Sequence, residues 1–192
     1  MGERTNSAPP VIWKRHDLPG HETCRTLFID EGWRLTGVAV LFIEDQACRL
    51  DYLIHCDRQW VTRFAVVTGW VGDRTIDVSV TRDDRGQWTL NGKVCEDVAG
   101  CIDIDLNFSP STNLLPIRRL GLGVGAAATV RAAWLRFPSF ALEPLDQTYT
   151  RLEDRDYRYE SGGGRFVAEL TVDEEGLVID YGKIWSREGI NG

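Results

Sequence analysis

No hydrophobic run in this 192-residue sequence is long enough to span a membrane. A spanning helix needs roughly 18 apolar residues, and the longest candidate, GLGVGAAATV, ends at Arg131. The first ten residues also lack the apolar stretch of a secretory signal peptide. Asn6 stands where the myristoylation pattern requires Ser or Thr. We therefore expect a cytoplasmic protein without stable membrane insertion.

Cysteine and histidine are too scattered to indicate a disulfide framework or a metal centre. The cysteines are odd in number and form no Cys-x-x-Cys motif; they are Cys24, Cys48, Cys56, Cys95 and Cys101. This pattern predicts free thiols in a reducing compartment. Two histidines lie near cysteines, His21 beside Cys24 and His55 beside Cys56. Adjacent residues of a strand point to opposite faces, so we expect neither a metal nor another cofactor.

Basic residues are outnumbered by acidic ones. Lys and Arg number 22 against 29 Asp and Glu, which gives a formal net charge of −7. Nucleic-acid binding requires a basic face, and anionic lipid head groups attract basic segments. We therefore expect no nucleic-acid partner and no tight docking on anionic lipid. A local basic patch at Arg118 and Arg119 is compatible with this argument.

Familiar catalytic and nucleotide-binding motifs are absent as well. The sequence has no Gly-x-Ser-x-Gly nucleophile elbow, although a triad could still assemble from distant residues. The glycines of 121–128 have Gly-x-Gly-x-Gly spacing, and a predicted strand at 130–137 follows where a dinucleotide site needs a helix. Glycines that allow a sheet to bend at a barrel corner explain this segment better.

The composition is otherwise that of a single globular domain. Hydrophobic residues make up 43% of the chain and charged residues 27%, which are ordinary values for a folded domain. The length is sufficient for a substantial core. We expect a flexible start at 1–10, one domain at 11–188 and a short tail at 189–192.

The sequence does contain a clear period of two, which is typical of strands. Ile76, Val78 and Val80 fall on one face of a predicted strand, with polar residues between them. Two segments, 35–43 and 64–71, are instead apolar on both faces. That pattern predicts strands that are covered on both sides.

Short turn signals separate the predicted strands. Asn91-Gly92 is the best two-residue hairpin turn, and residues 173–176 (DEEG) also separate two alternating segments. No amphipathic helix longer than an element at 112–120 is evident. We predict an all-β fold, a curved antiparallel roll or incomplete barrel with one short helix near 112–120.

Residues 109–120 form a segment, here called the connector, that no simple structural requirement explains. Its sequence is SPSTNLLPIRRL. Pro110 favours extended geometry in the residue before it, and Thr112 can cap a short helix. Arg118 and Arg119 then follow on a rigidly started element. The connector is either a capped connection with solvated arginines or part of a binding site.

Two carboxylates precede the connector. Asp103 and Asp105 alternate with apolar residues, so both lie on one face of a strand, about 6 to 7 Å apart. They could face water opposite a buried apolar face. They could also act as a carboxylate pair of the glycosidase type, or hold Arg118 or Arg119 through bidentate pairs.

Aromatic residues are abundant, with seven tryptophans and five tyrosines. Most of them are expected to fill the core of a β-roll. Trp and Tyr also combine an apolar ring with a polar tip, which suits sugars and amphipathic ligands. Trp134 and Tyr149 are the two that we expect beside a cavity.

Several segments resemble one known family in the same order. They are GCIDIDLNFSPSTNLLPIRRL at 100–120, AAWLRFP at 132–138, QTYTRL at 147–152, YRYES at 157–161 and GLVIDYGKIW at 176–185. Together they resemble the Putative glycolipid-binding family of bacterial proteins, over essentially the whole chain from Trp13 onward. The resemblance implies an open or rolled antiparallel β-barrel, related in shape to periplasmic lipoprotein carriers.

These observations favour non-catalytic binding of an amphipathic ligand, a glycolipid or another acyl-bearing molecule, in a barrel cavity. Two alternatives are an enzyme acting on a sugar or phosphate substrate and a module that presents the connector to a partner protein. The candidate ligand-binding residues are Asp103, Asp105, Thr112, Asn113, Arg118, Arg119, Trp134, Gln147 and Tyr149. We expect one connector arginine to contact the ligand beside Asn113, and the other to pair with Asp103 or Asp105.

Overall fold

The computed structural model describes residues 9–189, which form one sheet of fifteen strands and one α-helix. The first eight strands are β1 (Val11–Arg15), β2 (Gly20–Ile29), β3 (Gly32–Ile43), β4 (Gln46–Cys56), β5 (Thr62–Val71), β6 (Arg74–Arg82), β7 (Trp88–Leu90) and β8 (Lys93–Val94). The other seven are β9 (Asp103–Leu106), β10 (Ala127–Leu135), β11 (Leu142–Arg151), β12 (Asp156–Ser161), β13 (Phe166–Val172), β14 (Val178–Tyr181) and β15 (Trp185–Arg187). The helix is α1 (Leu114–Leu120), and 3-10 turns lie at Glu96–Val98 and Pro110–Asn113. Most of the expected flexible start at 1–10 and of the tail at 189–192 lies outside the described residues.

The strands pair in chain order, except that β1 lies between β2 and β15 and the sheet ends at β8 and β9. The described pairings are antiparallel apart from β9 with β10, which is parallel. The sheet curves until β9 faces the start of β5. There the Thr62 backbone N–H donates to the Ile102 carbonyl over 3.3 Å, and the Ile104 N–H donates to Thr62 Oγ1 over 3.1 Å. The sheet remains open, which confirms the predicted curved roll or incomplete barrel.

Local turn chemistry is as predicted at two hairpins. Asn91 and Gly92 have φ values of 49° and 77° and join β7 to β8, as a two-residue turn with two left-handed residues requires. Between β13 and β14, the Asp173 carboxylate accepts the backbone N–H groups of Glu175 and Leu177. Both predicted turns are therefore confirmed.

The prediction that 35–43 and 64–71 are covered on both faces is wrong. Their inward residues are buried, but on the outer face Val40 is 54% exposed, Phe42 45% and Trp70 41%. The reason is that a single rolled sheet has one interior, and within residues 9–189 no second layer covers the outside of β3 and β5. An apolar outer face reproduces the sequence pattern of a strand that is buried on both sides.

The interior is packed differently along the sheet. On the side of β2 to β7 it is filled by fully buried side chains, among them Leu35, Leu50, Ile54 and Trp88. A second cluster, built around Tyr149, lies under β11 to β14. The five cysteines are unpaired thiols, and burial raises the pKa of Cys24 to about 12. No helix within 9–189 is long and apolar enough to cross a membrane.

Candidate functional site

Helical structure in the connector begins with the 3-10 turn at Pro110, two residues before the predicted start at 112. Ser109 is extended, with φ of −133°, and its hydroxyl accepts the Ser111 N–H over 3.1 Å, so Ser109 caps the 3-10 turn that precedes α1. Thr112 is not the cap: its hydroxyl donates back to the Ser109 carbonyl over 3.4 Å. The difference arises because Pro110 starts a tight turn at once, which moves the capping position to the residue before it.

The two connector arginines separate. Arg119 turns inward, where its Nε donates to Asp103 Oδ1 over 3.0 Å and its Nη2 donates to the second carboxylate oxygen. The expected ion pair of one arginine is therefore confirmed for Arg119 with Asp103. Asp103 is only 1% exposed, so the interpretation that it faces water is wrong. Burial raises the pKa of Asp103, and the hydrogen bonds from Arg119 act in the opposite direction.

Arg118 lies on the outside of the roll. Its guanidinium carbon is 5.8 Å from the ring centroid of Trp60, and Trp60 stacks on Trp33 at 4.4 Å. Arg118 lines a groove of about 410 Å³ that also includes Arg155. This groove does not contain Asn113, so the structure does not bring these two predicted site residues together.

A cavity of about 400 Å³ lies between β9, the connector and the strands β10 to β15. Its aromatic lining consists of Trp134, Tyr159, Phe166, Tyr181 and Trp185. Its polar lining includes Arg15, Asp105, Ser109, Asn113, Ser161 and Arg165. A larger groove of about 860 Å³ lies elsewhere, but it is lined mainly by turn residues around 43–47 and 71–74. The cavity concentrates the aromatic and hydrogen-bonding groups, so we take it as the candidate site.

The inward face of β11 fixes two of the polar groups in this cavity. Gln147 Nε2 donates to Asp105 Oδ2 over 2.6 Å, and the Tyr149 hydroxyl donates to Asn113 Oδ1 over 2.9 Å. Burial raises the pKa of Asp105 to about 6, and the bond from Gln147 opposes that rise. Together with Trp134, these four residues are the predicted site residues that the structure brings together.

Asp103 and Asp105 share a face of β9 but not a site. Asp105 lines the cavity, whereas Asp103 is bound by Arg119 outside its lining. A glycosidase-type reaction needs both carboxyl groups at one bond of the substrate. The two aspartates therefore do not form the carboxylate pair that their spacing suggested.

A buried carboxyl group behind the cavity was missed by the sequence reasoning. Glu22 is 1% exposed, and its Oε1 accepts hydrogen bonds of 2.6 Å from Ser109 Oγ and from the Tyr52 hydroxyl. Burial raises the pKa of Glu22 to about 8. The available signal was its position: Glu22 alternates with Cys24 and Thr26 on the buried face of β2, where a charged residue is unusual.

The aromatic wall of the cavity is built from rings that meet edge to face. Tyr159 is 5.9 Å from Phe166 and 6.0 Å from Tyr181, with interplanar angles of 64° and 82°. On the opposite side, Arg15 lies 5.1 Å from the ring of Trp185. Ring faces beside carboxylate, amide and hydroxyl groups can hold a ligand that is apolar on one surface and polar at its edges.

The chain is similar to one protein family and to two solved structures. A family profile described as Putative glycolipid-binding matches residues 10–187. A crystal structure of a DUF1089 family protein from Pseudomonas aeruginosa is 33% identical, with 94% of this chain and 93% of that chain covered and a TM-score of 0.76. A β-barrel-like protein of domain of unknown function DUF1849 from Brucella abortus is 10% identical, with 93% of each chain covered and a TM-score of 0.47. No curated protein matches the chain.

Proposed function

Because this chain belongs to the Putative glycolipid-binding family, we propose that its cavity binds the polar head of an amphipathic ligand of the glycolipid type, without converting it. The observation that supports the proposal is the composition of the cavity. Five aromatic residues line one cavity together with Asp105, Asn113 and Ser161. Sites for small ligands are mostly apolar and carry a few placed polar groups that orient the ligand.

The size of the cavity limits which part of the ligand it can hold. A volume of about 400 Å³ equals roughly thirteen water molecules at liquid density, which is room for a small sugar head group but not for a whole glycolipid. The neighbouring interior is filled by buried side chains such as Leu35, Leu50 and Ile54. The head group would therefore occupy the cavity, and the acyl tail would lie outside it, past the half-exposed Phe166 at the rim.

The experiment is a binding titration that follows tryptophan fluorescence, since Trp134 and Trp185 line the cavity. Octyl β-D-glucoside below its micelle concentration and a bacterial lipid extract serve as probes. Ser161→Phe fills the cavity from β12, and Ser79→Phe makes the same change on the exposed outer face of β6. We expect saturable binding in the parent and in Ser79→Phe, and a loss of about tenfold or more in Ser161→Phe.

Two results would contradict the proposal. One is the absence of saturable binding for every glycoside and for the lipid extract. The other is equal binding by the two phenylalanine variants, because a ligand that ignores a filled cavity must bind elsewhere. Thermal melts of both variants establish that the comparison is made between folded proteins.

A further inference from the structure

The positions of Asp105 and Asn113 indicate which kind of head group the cavity could bind. Resting on that function, we propose that Asp105 and Asn113 form a hydroxyl-binding pair that selects an uncharged sugar ring over charged head groups. Both residues line the cavity. They belong to different elements, β9 and the connector, and are held in place by a third, β11.

Two side chains of one strand hold the pair. Gln147 and Tyr149 are alternate residues on the inward face of β11, and each holds one member of the pair. Alternate residues of a strand are about 6 to 7 Å apart. Neighbouring side chains of one strand therefore hold Asp105 and Asn113, and both line the cavity. Gln147 and Tyr149 are only 2% and 1% exposed. Asp105 and Asn113 are therefore held by side chains that are themselves fixed by packing.

Each member of the pair keeps one unused hydrogen-bonding position. Asp105 Oδ2 accepts from Gln147, and Oδ1 has no partner among the described residues. The Asn113 amide accepts from Tyr149 and gives one N–H to the Pro110 carbonyl, which leaves its second N–H. A free acceptor and a free donor in one cavity match the hydroxyl groups of a sugar ring, which can donate to the first and accept from the second.

The lining of the cavity has two arginines and two aspartates, so its net charge favours neither an anion nor a cation, although the buried Nη1 of Arg15 has no hydrogen-bond partner among the described residues. The Arg15 guanidinium is bound by the Asp17 carboxylate through bonds of 2.7 and 3.1 Å. The other lining arginine, Arg165, is exposed, and Asp105 balances it. A fully ionised phosphate has no hydrogen to donate to the Asp105 carboxylate and is repelled by its charge, and a quaternary ammonium offers no hydrogen-bond donor to it. An uncharged polyhydroxyl ring meets neither obstacle.

The test compares ligands that share one tail and differ in the head. The full chain is titrated with octyl β-D-glucoside, octyl β-D-galactoside, octyl phosphate and octyltrimethylammonium, each below its micelle concentration. We expect at least one glycoside to bind about tenfold or more tightly than either ion. Asp105→Asn should weaken glycoside binding by about ten- to hundredfold. The matched control, Asp146→Asn, changes an exposed aspartate next to Gln147 on the outer face of β11 and should leave binding unchanged.

Each outcome separates this inference from the proposed function. If no glycoside and no lipid extract binds, the proposed function itself is wrong. If glycosides bind but octyl phosphate or octyltrimethylammonium binds equally well, or if Asp105→Asn binds like Asp146→Asn, the hydroxyl-binding pair is wrong and the proposed function stands. If Asp105→Asn does not fold, Asn113→Asp gives the same comparison, since it keeps the acceptor for Tyr149 and removes the free amide donor. The comparison of head groups uses the parent protein alone, so it does not depend on whether any variant folds.

Discussion

Replacing Glu22 by Gln should change how the stability of the protein depends on pH. Gln has the shape of a protonated Glu, so its amide oxygen can still accept from Ser109 and Tyr52. It cannot ionise. In the parent protein, burial raises the pKa of Glu22 from 4.5 to about 8. The folded state therefore retains a proton that the unfolded chain has released at neutral pH.

The sign and size of the effect follow from this difference. Because the folded-state pKa of Glu22 lies above the unfolded value, its contribution to stability is fully present below about pH 4.5. That contribution is lost as the pH rises towards 8. Between these two pKa values, the unfolding free energy changes by about 1.4 kcal/mol per pH unit. Between about pH 5.5 and 7.5, the parent should lose roughly 2 to 3 kcal/mol of unfolding free energy relative to Glu22→Gln. At this chain length that loss equals roughly 5 to 10 °C in melting temperature.

Urea denaturation of the parent and of Glu22→Gln at several pH values measures the effect. Other groups with raised pKa values, including Asp105, are common to both proteins and cancel in the difference. The matched control, Glu169→Gln, changes an exposed residue of β13 and should follow the parent curve. Parallel curves for the parent and Glu22→Gln would refute the argument, because the buried carboxyl group would then titrate alike in both states.

Two further predictions concern packing around the site. Asp103→Asn leaves the inward-facing Arg119 without its charged partner and should lower the unfolding free energy by about 3 kcal/mol in urea denaturation; an unchanged midpoint would contradict this. A Cβ on Gly37 would lie 2.4 Å from the Tyr52 hydroxyl oxygen and 2.4 Å from the Thr23 carbonyl oxygen. Gly37→Ala should therefore cost about 2 kcal/mol, or roughly 4 to 8 °C in a thermal melt. The control is Gly123→Ala, whose Cβ meets nothing within 4 Å. Equal melting temperatures for the two variants would contradict the predicted clash.

Features that depend on neighbouring residues could be predicted from the sequence. The alternation around Ile76 and the turn at Asn91-Gly92 each require only a short segment, and both are present in the structure. The faces of β3 and β5 could not be assigned correctly. Whether Val40 and Phe42 are covered depends on whether another layer of the protein packs there, and local hydrophobicity contains no information about that.

The candidate site shows the same limit. The pattern correctly placed Asp103 and Asp105 on one face, but that face becomes the interior only when the whole sheet curls. Their different partners, Arg119 and Gln147, are then decided by the curvature. Glu22 was missed for a related reason. Its hydrogen-bond donors lie 30 and 87 positions further along the chain, so no local pattern could identify the network.

The contact between β9 and β5 has a consequence for how the protein meets other copies of itself. An open sheet has two edge strands, and an edge with unpaired backbone groups is a template for another chain. At one edge, Thr62 accepts the Ile104 N–H of β9 and donates to the carbonyl of Ile102 just before it. The other edge, β8, is only two residues long and one of them is Lys93, a combination that discourages strand addition. A roll that never closes into a barrel is thus protected from edge-to-edge aggregation at both ends.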